Sequence, residues 1–102
     1  MSNTKFSPKD PAESVTLTFD FYNLLDHVNE VLTFAAWSIE VVAGVDTSPN
    51  LLLSGSPTTF NTSSSMLLIG GIAGNSYNIH VLGTTSKNQV FKLTGSIDIK
   101  AQ

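Results

Sequence analysis

The sequence predicts an all-β domain: an immunoglobulin-like (fibronectin-like) antiparallel β-sandwich of about seven strands preceded by an extended N-terminal arm. Three observations predict it. Apolar residues recur with a period of two along several segments, no apolar stripe of helical period persists over about ten residues, and clusters of Gly, Pro, Asn and Asp separate the alternating runs. With 102 residues, the chain can close one core and not two.

Residues 1–13 are polar and interrupted by Pro8 and Pro11, which favours an extended conformation with little apolar surface to bury. They read as the arm, and residues 14–100 as the sandwich. Ordering a backbone costs roughly 1–2 kcal/mol per residue, more than so polar a segment can offset alone. The arm is therefore expected to order on a neighbouring protein, with Phe6, Pro8 and Pro11 as its contacts. On that reading, its deletion leaves the melting temperature of the domain nearly unchanged.

Val15, Leu17, Phe19 and Phe21 alternate with Thr16, Thr18 and Asp20, the pattern of a half-buried strand. Tyr22 to Asn29 contain Asn23, Asp26, His27 and Asn29 and read as a loop or short turn. From Val31 to Val42 a second apolar stretch carries Trp37, Ile39 and Val41 in phase, with Ala35-Ala36 as the expected bend dividing it. Trp37 is expected to be the central packing residue rather than a stacking platform. After the turn formers Gly44, Asp46, Ser48 and Pro49, short strands are expected at Leu51 to Ser54, Thr58 to Phe60 and Met66 to Ile69, with Asn61 to Ser65 as loop.

Tyr77, Ile79 and Val81 then alternate with Asn78 and His80, and Thr84 to Asn88 turns the chain. Phe91, Leu93, Ile97 and Ile99 share a face, which completes a hairpin. Gly95 falls on the apolar face of the last strand, where a bulge or close packing is expected.

The spacing Gly70-Gly71-x-x-Gly74 raises the possibility of a phosphate loop. Such loops feed a helix N-terminus, and here the next segment alternates as a strand, with no Lys-Ser or Lys-Thr after the glycines. A glycine turn followed by Tyr77 suits a tyrosine corner instead, in which the hydroxyl bonds to nearby upstream backbone. The expected structural core is Trp37, Tyr77, Phe19, Ile79, Val81, Leu93 and Ile97, and the expected turn glycines are Gly70, Gly71 and Gly74.

Composition narrows the chemistry. No cysteine is present, so thiolate nucleophiles, disulfides and Cys-based zinc sites are ruled out. All five basic residues are lysine and the net charge is -3, a poor match to nucleic acid. Apolar runs such as Leu51 to Leu53 and Met66 to Ile69 are far shorter than the roughly 20 residues of a membrane-spanning helix, and the opening has no apolar stretch of signal-peptide type. Asp26, His27 and Glu30 lack a recognised metal-ligand spacing, no G-x-S-x-G elbow occurs, and Asp20, Glu40 and Asp98 fall on outward strand positions. The expectation is a non-enzymatic protein with no cofactor and no metal.

Lys9-Asp10-Pro11, Trp37-Ser38-Ile39 before a glycine turn, Leu68-Ile69-Gly70-Gly71 with Ala73-Gly74 and Tyr77-Asn78-Ile79, Thr84-Thr85-Ser86, and the final Leu93 to Ile99 strand go together. In order and spacing they resemble a family of short, immunoglobulin-like virion proteins of tailed bacteriophages, the fiber-tail adaptors or minor structural proteins. The likeness covers about residues 9 to 100. Ser86-Lys87-Asn88 replaces the glycine more usual in the hairpin turn, and Asn23 to Thr33 is a longer segment than usual.

The resemblance implies a virion location after synthesis in the host cytoplasm, and a passive role in several symmetric copies (a homo-oligomer). Its partners would be other virion proteins: tail, neck, a portal-associated adaptor or a fiber. A capsid decoration (cement) protein is the alternative within the virion. A carbohydrate- or protein-binding module of a bacterial surface protein is the alternative outside it.

Overall fold

A computed structural model of the chain describes residues 4–25 and 30–101. Its strands are β1 (Thr4–Lys5), β2 (Val15–Asp20), β3 (Leu32–Ala43), β4 (Leu53–Phe60), β5 (Ser63–Leu68), β6 (Ser76–Thr85) and β7 (Val90–Asp98). They form a four-stranded sheet in the order β1-β7-β6-β3 and a three-stranded sheet in the order β2-β5-β4. All neighbours are antiparallel except β1, which runs parallel to β7. The protein is a two-layer β-sandwich.

The alternation read from the sequence sets the two inner faces. Leu17 and Phe19 from β2, Met66 and Leu68 from β5, Ile39 from β3, Tyr77, Ile79 and Val81 from β6 and Ile97 from β7 are buried. Leu93 and Trp37 are partly buried and pack against this core. Asp20 and Glu40 face solvent, as outward strand positions require.

Several local expectations give way to packing. The stretch from Leu32 to Ala43 is one continuous strand, and its irregularity lies between Leu32 and Phe34 rather than at Ala35-Ala36. A bulge there lets Leu32 and Ala35 both face inward although three positions apart. Leu53 to Phe60 is likewise one strand, bowed away from its partner between Ser54 and Thr58, and Pro49–Leu52 before it is a 3-10 turn. Ser63 to Ser65, expected as loop, pair with Asp20 to Thr18 because small polar residues fit the ladder when a neighbouring strand supplies the bonds. The expected loop after Phe21 holds a 3-10 turn at Tyr22–Leu24; Asp26 and His27 lie outside the described residues.

The largest difference concerns the arm. Residues 4–9 are extended, but they lie on this chain's own sheet: Thr4 and Lys5 pair with Gly95 and Ser96, Phe6 N donates to Ser96 O, and Lys9 bridges to Ile99. Phe6 packs edge-on against Phe19 with ring centroids 5.5 Å apart. A side chain at Gly95 would stand 2.6 Å from the Phe6 ring and 2.9 Å from Phe19, so the glycine marks close packing and not a bulge. Polarity along the arm conceals one aromatic anchor with a slot made for it.

Candidate partner interface

A sandwich has two open flanks, where the edges of its sheets face each other. On the first, residues 4–9 lie over the gap between β7 and β2 and narrow it, leaving a smaller cavity of about 340 Å³ lined by Phe6, Val15, Leu17 and Ile97 among others. Lys9 fixes this strap. Its backbone N–H donates to Asp98 O and its carbonyl accepts from Lys100 N, while its ammonium donates to the carbonyls of Gly70 and Asp10. Only 1% of Lys9 is exposed, and burial pushes its pKa below the ordinary 10.5, against the opposing pull of the Glu13 and Asp10 carboxylates. Pro8 is exposed and Pro11 half-buried.

On the other flank β3 and β4 leave an open cleft of about 540 Å³. Phe34, Trp37, Leu53, Pro57 and Met66 are among its lining residues, and no lining residue is charged. Trp37 spans the boundary between cleft and core: its ring meets Phe19 edge-on at 5.2 Å and its Nε1–H donates to Ser64 Oγ at 3.0 Å. It is partly buried rather than central, because β3 is an edge strand and none of the described residues pairs with its outer side at this level. Phe34 is 61% exposed at the cleft and Phe60, at the end of β4, is 71% exposed. Counting back from Trp37 by twos places Phe34 outward, so the sequence carried a signal for it. An outward phenylalanine in a strand is apolar surface left for something else to cover.

The glycine-rich stretch forms a structural corner. Tyr77 is fully buried; its hydroxyl accepts from Ile72 N at 3.4 Å and from Asn75 Nδ2 at 3.3 Å, and donates to Asp46 Oδ2 at 2.9 Å. Burial pushes its pKa above the ordinary 10.0; the Asn75 bond opposes this and Asp46 adds to it. Gly71 has φ +103 and lies against Ile99, whose Cδ1 would be 2.9 Å from a Cβ there. Gly70 and Gly74 complete the corner, Gly70 through its carbonyl to Lys9 and Gly74 through its N–H to Ile99 O. With Ile72 N, Gly74 N and Asn75 N bonded inside the fold and a strand rather than a helix following, this stretch lacks the build of a phosphate loop.

His80 and Glu30 are also engaged in structure. His80 meets Thr94 Oγ1 through Nδ1 and Glu40 Oε1 through Nε2, each at 3.0 Å, across three neighbouring strands of the outer face. Buried Glu30 accepts from Thr85 Oγ1. Among the described residues no group of three metal-ligating side chains converges. What the described surface offers is an open apolar cleft and two outward phenylalanines, Phe34 and Phe60.

No curated protein is similar enough to count as a match. Residues 9–98 match the family model described as podophage GP4 fiber-tail adaptor protein gp77, a stretch that runs from Lys9 through β2 to β7. The chain belongs to this podophage fiber-tail adaptor family.

Proposed function

We propose that the chain is a non-enzymatic structural protein of the phage virion that joins tail or neck components to fibers through protein–protein contacts. The family match over residues 9–98 carries the reading. The structure supports it in kind: a two-layer sandwich whose exposed apolar residues include Phe34 at the open flank and Phe60 at the end of β4. The strand order also supports an immunoglobulin-like assignment. β3-β6-β7 and β2-β5-β4 correspond to the two sheets of that fold, with a parallel first strand added beside the last and a tyrosine corner opening β6.

In this role the protein acts in several symmetric copies. Ring symmetry raises the effective concentration of each contact, so modest individual interfaces suffice. Partners are the tail tube, neck or portal-associated proteins on one side and the fiber on the other. Quantitative mass spectrometry of purified virions tests this. An adaptor is present at about one ring's worth of copies or a few, whereas a decoration protein approaches the capsomer count. Absence from particles would overturn the reading.

A further inference from the structure

We infer that the cleft between β3 and β4 is a strand-addition site for an extended, uncharged partner segment carrying an apolar anchor. Of the adaptor reading the inference needs only the source of that segment, a neighbouring virion protein.

The edge of β3 shows where such a strand would bond. Leu32 N and Ile39 N both point away from β6, and the chain supplies an acceptor for each: Asn61 O at 2.7 Å and Asn50 Oδ1 at 2.8 Å. Backbone groups alternate in direction along a strand, and register with β6 is unbroken from Phe34 to Val41. Ala35 N–H and Trp37 N–H therefore point outward with Ile39 N–H. Among the described residues β3 pairs with no strand but β6, and neither amide meets a turn, loop or side-chain acceptor. Ala35 is only 3% exposed, and an unpaired amide at so buried a residue is costly. The chain thus caps this edge at Leu32 and at Ile39 and leaves it open between them.

The cleft lies beside those two donors, and its chemistry selects the occupant. Because none of its lining residues is charged, a charged side chain entering it would lose water without gaining a counter-ion. Apolar walls from Phe34, Trp37, Leu53 and Met66 favour an apolar side chain at alternate positions of the added strand. The opposite flank supplies the pattern in this same molecule: an extended segment pairs with edge strand β7 and inserts one phenylalanine against Phe19. Trp37 meets Phe19 from the cleft side in the same edge-on manner.

The experiment is an NMR titration of the full chain with the neutral peptide acetyl-Thr-Ile-Thr-Phe-Thr-Ile-Thr-amide. Binding is expected to shift resonances of Thr33 to Trp37 and Leu53 to Thr59, and to slow amide exchange of Ala35 and Trp37 about tenfold or more. A35P removes one outward donor without taking a ladder bond, and F34K places a charge at the mouth; each is expected to abolish binding. If A35P does not fold, F34K, which leaves the backbone donors intact, decides alone. No shifts at millimolar peptide, equal binding of the peptide with glutamate in place of its phenylalanine, or concentration-dependent protection of Ala35 without peptide would each overturn the inference, the last by naming a second copy as the occupant. Virion composition is read separately, so loss of the adaptor reading is distinguishable from loss of the strand-addition site.

Discussion

The two flanks of the sandwich present the same problem with different outcomes. Between β7 and β2, the chain closes the gap with its own residues 4–9: Phe6 enters the Gly95 slot and the Lys9 ammonium ties the strap to the glycine corner. Between β3 and β4 it closes the gap only in part, with Asn50 and Asn61 as acceptors around an open centre and Phe34 left in solvent. Both sides meet at Phe19, which receives Phe6 from one and Trp37 from the other. One extended segment with one aromatic anchor narrows a flank of this fold, and the cavity left beside Phe6, about 340 Å³, is smaller than the 540 Å³ cleft opposite. The open flank, with no charged residue in its lining, has the chemistry to receive such a segment from outside.

The strongest way to break the comparison is to open the closed flank. Deleting residues 1–9 removes β1, the Phe6 anchor and the Lys9 bonds to Gly70, Asp10, Asp98 and Lys100. The expected loss is about 3–5 kcal/mol, comparable to truncating a large core side chain. For a domain of this size, that is a fall in Tm of more than about 10 °C by thermal unfolding. An unchanged Tm would restore the free arm that polarity alone suggests.

A finer test places the same substitution on both sides. Phe6→Ala empties a packed slot and is expected to cost about 2–4 kcal/mol, whereas Phe34→Ala removes a mostly exposed ring and is expected to stay within about 0.5 kcal/mol. Denaturant midpoints at constant m-value measure both. Equal costs would mean that the flanks are not different in kind.

Alkaline pH separates the two buried polar groups that anchor the closed flank and the corner. Lys9 has a folded pKa below its ordinary 10.5, so the unfolded chain binds more protons between those values, and this residue makes stability rise with pH in that window. Tyr77 has a folded pKa above its ordinary 10.0, so its contribution is complete below pH 10.0 and is lost as pH rises through the folded value. Lys9→Met is expected to abolish the rise and Tyr77→Phe the fall. At neutral pH Tyr77→Phe costs about 1–3 kcal/mol, because Asp46, Asn75 and Ile72 lose a shared partner. A pH–stability profile identical in all three proteins would sink this assignment.

These contrasts also mark what the sequence could and could not reveal. Period-two alternation in β2, β6 and β7 needs only local order, and it placed Phe19, Ile79, Val81 and Ile97 inside. Tyr77 was legible because a glycine turn at the head of a strand narrows what its hydroxyl can meet. Phe6 was not: its slot is made by Gly95 and Phe19, residues far along the chain, and nothing local distinguishes an anchor from an isolated aromatic. Lys9 was hidden for the same reason, since its principal acceptor, Gly70 O, lies 61 positions away. The single strand from Leu53 to Phe60 was obscured by Gly55 and Pro57, which an edge strand tolerates where its outer side needs no ladder bonds. The cleft follows from sheet order, which alternation does not specify.

The smallest expected effect on stability is the most informative about the open flank. Phe34→Ser combined with Phe60→Ser removes two outward rings that the fold does not bury, so Tm is expected to hold within a few degrees. If the open flank is where a neighbouring virion protein docks, the same variant loses the apolar surface at its mouth. Exposed aromatics at the centre of an interface typically carry about 2 kcal/mol or more of its affinity. The doubly substituted protein is then expected to fold normally and to be depleted from particles assembled in its presence, measured against the wild-type chain by quantitative mass spectrometry. Normal incorporation would move the docking surface elsewhere, and the exposed apolar residues at the opposite end, Val45 and Ile72 beside the Tyr77 corner, would be next to test.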